Sequence, residues 1–125
     1  MSNRYLEIQD IRAYMLAFKL SNWVWKKVLI WDNFSKFTIG KQMVNAADSI
    51  SANIAEGFGR YSKKDKIRFY RYARGSTKEL EDWCNKAKVR NLFTQDEIEL
   101  IYKTISQLPK EINWLIKITN DKLNK

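Results

Sequence analysis

Apolar residues in this chain recur at steps of three and four, the repeat of helices buried along one side. The pattern is cleanest near the C-terminus, where Ile98, Ile101, Ile105, Leu108, Ile112, Leu115 and Thr119 form one seam. Thr94 and Glu97 make a Thr-x-x-Glu capping box in front of it, so a helix is predicted over 95–123. Pro109 lies inside that helix and removes one ladder hydrogen bond. The seam runs on past it, which predicts a kink near Ser106 and no break.

Three earlier helices read from the same periodicity. The first covers about 11–31 and is apolar on two sides. Ile11, Met15, Phe18, Trp25 and Val28 form one stripe, flanked by Tyr14 and Leu29, and Leu16, Leu20, Trp23 and Trp31 form another. Such a helix in a small bundle is expected to face a second subunit as well as its own core. After a connector at 32–37, Thr38 is the candidate cap of a second helix over about 38–58. Ile39, Met43, Ala46, Ala47, Ile50 and Ile54 point inward there, and Gly57 is read as its stop. Ser62 and Asp65 open a third helix over about 63–90, with a stripe of Phe69, Ala73, Ser76, Leu80, Trp83 and Ala87. Asn91 to Phe93 forms the last turn.

Composition agrees with this reading. Only four Gly and one Pro in 125 residues leave few turns, so the chain must be built from long elements. The expectation is one all-α domain over 1–125, an antiparallel up-down-up-down four-helix bundle. No apolar run approaches the ~20 residues that span a membrane, and the N-terminus MSNRYLEIQD has no hydrophobic leader. The lone cysteine, Cys84, rules out an internal disulfide and suits packing in a reducing cytoplasm. The chain has no histidine, which excludes His-based metal sites and a His general base. The four glycines form no phosphate-cradling loop. No cofactor, metal or catalytic residue is therefore expected, and the protein reads as a non-enzyme.

Charge is unevenly distributed. The chain carries +9 overall, yet Arg60 to Arg74 alone holds seven cations against one acid, Asp65. At 100° per residue, Lys64, Arg68, Arg71 and Arg74 fall on the side of the third helix opposite its apolar stripe. With Arg60 and Lys63 they form a basic ridge, the candidate nucleic-acid-binding residues. Tyr61, Tyr70 and Tyr72 are interleaved and suited to stacking on bases where exposed. Nothing in the chain resembles a base-reading motif, so contact is expected through phosphates, with RNA a better partner than DNA.

Asn53 and Glu56 read as structural. A turn near residue 60 brings Asn53 opposite 67–70 and Glu56 opposite 63–66, where Glu56 meets a basic residue or helix amides. The same register sets Gly75 and Ser76 against Ala46 and Ala47, a close approach of two backbones. Five tryptophans (Trp23, Trp25, Trp31, Trp83 and Trp114) exceed what a small monomer buries, which again implies contact between subunits.

At Asn53, Ile54, Ala55, Glu56, Gly57 and Arg60, followed by Gly75, Ser76, Glu79 and Leu80, the chain resembles the S23-type proteins. These are four-helix bundles encoded within intervening sequences of bacterial 23S rRNA genes. The resemblance extends over essentially the whole chain. It implies a ring-like homo-oligomer, a homopentamer in the family. It also implies similarity to accessory variability proteins of diversity-generating retroelements, which bind nucleic acid and a reverse transcriptase. A protein partner of that kind is the alternative to RNA.

Overall fold

Three polar side chains start the long helices. The Asp32 carboxylate accepts the Ser35 amide at 3.0 Å, the Ser62 hydroxyl accepts the Asp65 amide at 3.1 Å, and Thr94 accepts the Glu97 amide at 3.2 Å. Glu97 returns the favour to the Thr94 amide at 2.8 Å, completing the capping box. The computed structural model describes residues 6–123. Among them no strand occurs, and four long helices follow in order: α1 (Arg12–Leu29), α2 (Lys41–Gly59), α3 (Lys63–Val89) and α4 (Gln95–Lys122).

The lead-in to α2 departs from expectation. Asn33–Ser35 is already helical and passes through a π-helical turn, Lys36–Gly40, into Lys41 without a break. Asp32 is therefore the cap, and Thr38 instead donates its hydroxyl to the Phe34 carbonyl at 2.6 Å. The wider turn leaves both Ile39 and Gly40 buried. At the other end of the chain's longest hairpin, Asn91 takes a left-handed φ of 58°. The Leu92 amide bonds Ala87 and the Asn91 amide bonds Lys88, the two hydrogen bonds of a Schellman stop.

Contacts between neighbouring helices rise along one and fall along the other. Ser21 meets Asp48, and Gly40 lies against Val28. Between α3 and α4, Lys63 reaches Asn120, Arg74 reaches Asn113, and Tyr102 reaches Asn85. Arg12 pairs with Glu111 and Lys27 with Glu97, which joins α1 to α4. These surface pairs are each worth about 0–1 kcal/mol and mark register more than stability.

The core of α4 is the expected seam: Ile101, Ile105, Leu108, Ile112, Leu115 and Thr119 are buried and Ile98 packs against them. The helix continues through Pro109. In the π-helical turn and α2, Ile39, Met43, Ala46, Ala47, Ile50 and Ile54 are all buried as read. The first helix is different. Its buried line is Ala13, Ala17, Leu20, Val24 and Val28, while Phe18, Trp25 and Leu29 are exposed. Small residues win the core positions because α1 packs closely on α2, and the large rings are turned outward.

The third helix is rotated relative to its predicted stripe. Ala73, Leu80 and Ala87 are buried, but the other inward positions are Ile67, Tyr70, Thr77 and Cys84, with Phe69, Ser76 and Trp83 only half-buried on the flank. The rotation follows from Gly57. It does not stop α2, which runs on to Gly59 with no positive φ at any glycine. It is buried, and a Cβ there would lie 2.7 Å from the Tyr70 ring and 3.0 Å from the Lys66 carbonyl. Gly57, and not Gly75, is thus the close-approach point. Gly75 is exposed, with nothing within 4 Å of a Cβ built on it, so it does not face Ala46 and Ala47.

The two glycines should therefore respond oppositely. Gly57→Ala overpacks the Tyr70 contact and is expected to cost about 1–3 kcal/mol in urea unfolding. Gly75→Ala sits on an open helix surface and is expected to add up to about 1 kcal/mol. The reverse order would place Gly75, and not Gly57, at the helix contact.

Candidate nucleic-acid interface

The basic ridge lies along the first half of α3, whose start is held by two contacts. Ser62 caps it, and Lys66 turns back so that its ammonium donates to the Phe58 carbonyl at 2.7 Å. Lys66 is half-buried, and that burial lowers its pKa. It closes the end of α2 and is structural. Lys64, Arg68, Arg71 and Arg74 are exposed, and Lys63 is half-buried with its ammonium 3.4 Å from the Asn120 carbonyl.

Partners divide these cations. Arg60 pairs with Glu56 at 2.8 Å and lies 4.6 Å from the centre of the Phe69 ring. Arg68 pairs with Asp65 at 3.3 Å and sits 5.2 Å from the same ring. Arg74 donates to the Asn113 side-chain oxygen at 2.6 Å. Among the described residues, nothing pairs with Lys64 or Arg71. Their charge faces water uncompensated, and the exposed ion pairs of Arg60 and Arg68 are weak enough to exchange a carboxylate for a phosphate.

Sequence reasoning missed one member of the row. Lys78 stands two helical turns beyond Arg71, as Arg71 stands two turns beyond Lys64, and it is exposed. That spacing was readable, but Lys78 lies outside the fifteen-residue cluster and is paired with Glu81 at 3.0 Å. The tyrosines separate as well. Tyr61 is 99% exposed and Tyr72 about half, but Tyr70 is buried and cannot stack on a base. Tyr72 meets Phe69 edge-on at 5.4 Å.

The motif residues do not converge on one site. Asn53 donates to the Ser49 carbonyl of its own helix at 2.9 Å. Glu56 is exposed and holds Arg60. Gly57 receives Tyr70, Gly75 is open to solvent, Ser76 is half-buried, and Glu79 accepts the Trp83 indole N–H at 3.2 Å. Among the described residues, no group of three or more His, Cys, Asp or Glu side chains could hold a metal ion. None of the helices there is long and apolar enough to cross a membrane.

Residues 9–114 match the family described as 23S rRNA-intervening sequence protein. Among solved structures, a protein of unknown function from the S23 ribosomal protein family of Bacteroides thetaiotaomicron is similar. It is 22% identical, superposes with a TM-score of 0.76, and the match covers 84% of this chain and 98% of that one. At that identity the likeness speaks for the fold. No curated protein matches.

Two buried acids set an alkaline limit. Burial, with the Glu81 carboxylate adding to it, pushes the Cys84 thiol from 9.0 up to about 12. Burial also pushes the Tyr70 phenol from 10.0 to about 12, only partly offset by its hydrogen bond with Thr119. Between about pH 9 and 12 the unfolded chain therefore holds fewer protons than the folded one, and stability falls as pH rises. The urea midpoint should be level from about pH 7 to about pH 9 and drop steadily above it. A midpoint that stays level through about pH 11 would contradict the burial of both groups.

Proposed function

The chain belongs to the 23S rRNA-intervening sequence protein family, and we propose that it is a non-enzymatic RNA-binding bundle acting in the cytoplasm. In this reading it is associated with 23S rRNA intervening sequences and contacts phosphates through the ridge on α3. Lys64 and Arg71 lead, joined by Arg60, Lys63, Arg68 and Arg74 as their carboxylate or amide partners are displaced. The observation that carries the reading is the pair of uncompensated cations, Lys64 and Arg71, at the centre of an exposed basic row. Phosphate contact is independent of base sequence, so affinity should depend steeply on salt and little on sequence.

We read the bundle as antiparallel up-down-up-down, supported by contacts that rise along one helix and fall along the next. We also read it as a ring-like homo-oligomer, with the pentamer suggested by family resemblance. Support for self-association comes from the rings that α1 turns outward. Trp25 is 55% exposed, Leu29 53% and Phe37 69%, and they border one groove at the α1–α2 end. A ring would repeat the ridge and multiply weak phosphate contacts.

Replacing Lys64 and Arg71 together by Gln should weaken binding to a single-stranded RNA and reduce the slope of log K against log salt by about 0.7 for each cation removed. Helical content should be unchanged, because both side chains are exposed. An unaltered slope would remove these residues from the interface. If the parent protein binds neither RNA nor DNA at low salt, docking to a protein partner becomes the better reading.

Light scattering tests assembly separately. The dilute protein should have a mass several times that of the 14.9 kDa chain. A mass near 14.9 kDa would contradict the ring.

A further inference from the structure

Beside the ridge, α3 and α4 part to leave a groove of about 790 Å³. Arg71, Arg74 and Lys78 line it from α3, and Tyr102, Ile105 and Pro109 from α4. Two residues mark its walls. Gly75 has nothing within 4 Å of where its Cβ would be, so no neighbour fills its place in the wall. On the α4 wall, Pro109 has no amide proton to give the Ile105 carbonyl, so that ladder bond is absent.

The groove is spanned by hydrogen bonds at its two ends. Arg74 donates to Asn113 at 2.6 Å near one end, and the Tyr102 hydroxyl bonds Asn85 at the other. The first bond holds a guanidinium at the rim, and the second holds an aromatic ring in the wall. Most of the lining is apolar, while three cations stand along one side. Glu81 also lines the far end, where Lys78 already pairs with it at 3.0 Å.

This combination restricts the ligand. A bare inorganic anion makes no use of an apolar wall, and a purely apolar molecule makes no use of three cations. A nucleotide uses both, a flat base against apolar surface and a phosphate beside guanidinium groups. The volume lies within the roughly 300–1,000 Å³ of small-ligand sites. The geometry points to a site for one unstacked nucleotide of a single-stranded RNA, with its phosphate at Arg71 and Arg74 and its base against the Tyr102 wall. This rests on the reading of the ridge as an RNA-binding surface and adds a preference to it. A duplex keeps its bases stacked and paired, so it can reach the ridge but cannot fill the groove.

Gly75→Leu tests the site, since it fills the groove without changing charge at an exposed position. Fluorescence anisotropy would compare parent and variant on a single-stranded RNA and on a duplex of the same sequence, at one salt concentration. The variant should lose about tenfold on the single strand, the scale of one lost base contact, and bind the duplex as before. Equal affinity for both RNAs in parent and variant alike would overturn the groove site and leave the ridge standing. Equal loss on both RNAs would also overturn it, because the preference would be absent. A parent that binds neither RNA would overturn the ridge reading together with the site. A second measurement does not depend on the variant folding. Adenosine monophosphate titrated into the parent should move the amide resonances of Gly75 and Thr77, and inorganic phosphate at the same concentration should leave Thr77 in place. Resonances that stay still with the nucleotide would overturn the site.

Discussion

The contact on which the arrangement depends is Tyr70 seated against Gly57. A hydrogen in place of a side chain lets the phenol ring lie where a Cβ would be only 2.7 Å away. The same ring is buried and its hydroxyl reaches Thr119 on α4, so one side chain ties α2, α3 and α4 together. Tyr70 thereby fixes the rotation of α3 about its own axis. With Ile67, Tyr70 and Ala73 inward, Lys64, Arg68 and Arg71 must point outward, since successive residues advance by 100°. The charged surface is a consequence of a packing choice made on the opposite side of the helix.

That rotation also decides how the cations are used. Turning α3 so that Phe69 lies half-buried on the flank brings Arg60 and Arg68 over its ring, each with an acid beside it. Those two arginines are preorganised but partly neutralised. Lys66 is spent on the end of α2. What remains fully available is Lys64 and Arg71, with Lys78 beyond them on the same line but paired with Glu81. A surface of this kind suits a flexible polyanion, which samples many weak contacts, better than a single small anion.

Legibility in the sequence varied with what filled each helix's inner face. The α4 seam was plain because Ile and Leu occupy its inner positions from Ile101 to Leu115, with only Thr119 at the end departing from them. The inner face of α1 was hidden, since Ala13 and Ala17 are buried while Trp25 and Phe18 are not. A reading that ranks residues by hydrophobicity prefers the rings, whereas close helix packing selects small side chains. In α3 several chosen positions lay one residue from the true core: Ser76 for Thr77 and Trp83 for Cys84. Only the α2 contact at Gly57 distinguishes these, and Gly57 had the alternative role of a helix stop. For the interface, the cluster of cations was visible as composition. The pairing of Arg60 with Glu56 was available from its spacing of four residues. The groove was not legible at all, because it is lined by residues of two helices far apart in the chain, Arg71 to Glu81 and Tyr102 to Pro109.

The claim that α3 presents its basic row to RNA is tested most directly by lysine footprinting. The protein would be acetylated briefly with and without a saturating single-stranded RNA, and each lysine's modification read by mass spectrometry. Lys64 and Lys78 should be protected in the complex, while Lys19 and Lys26 on α1 and Lys41 on α2 should react as they do in the free protein. Protection centred on Lys19, Lys26 and Lys41, with Lys64 and Lys78 unchanged, would place the RNA on another face and contradict the account.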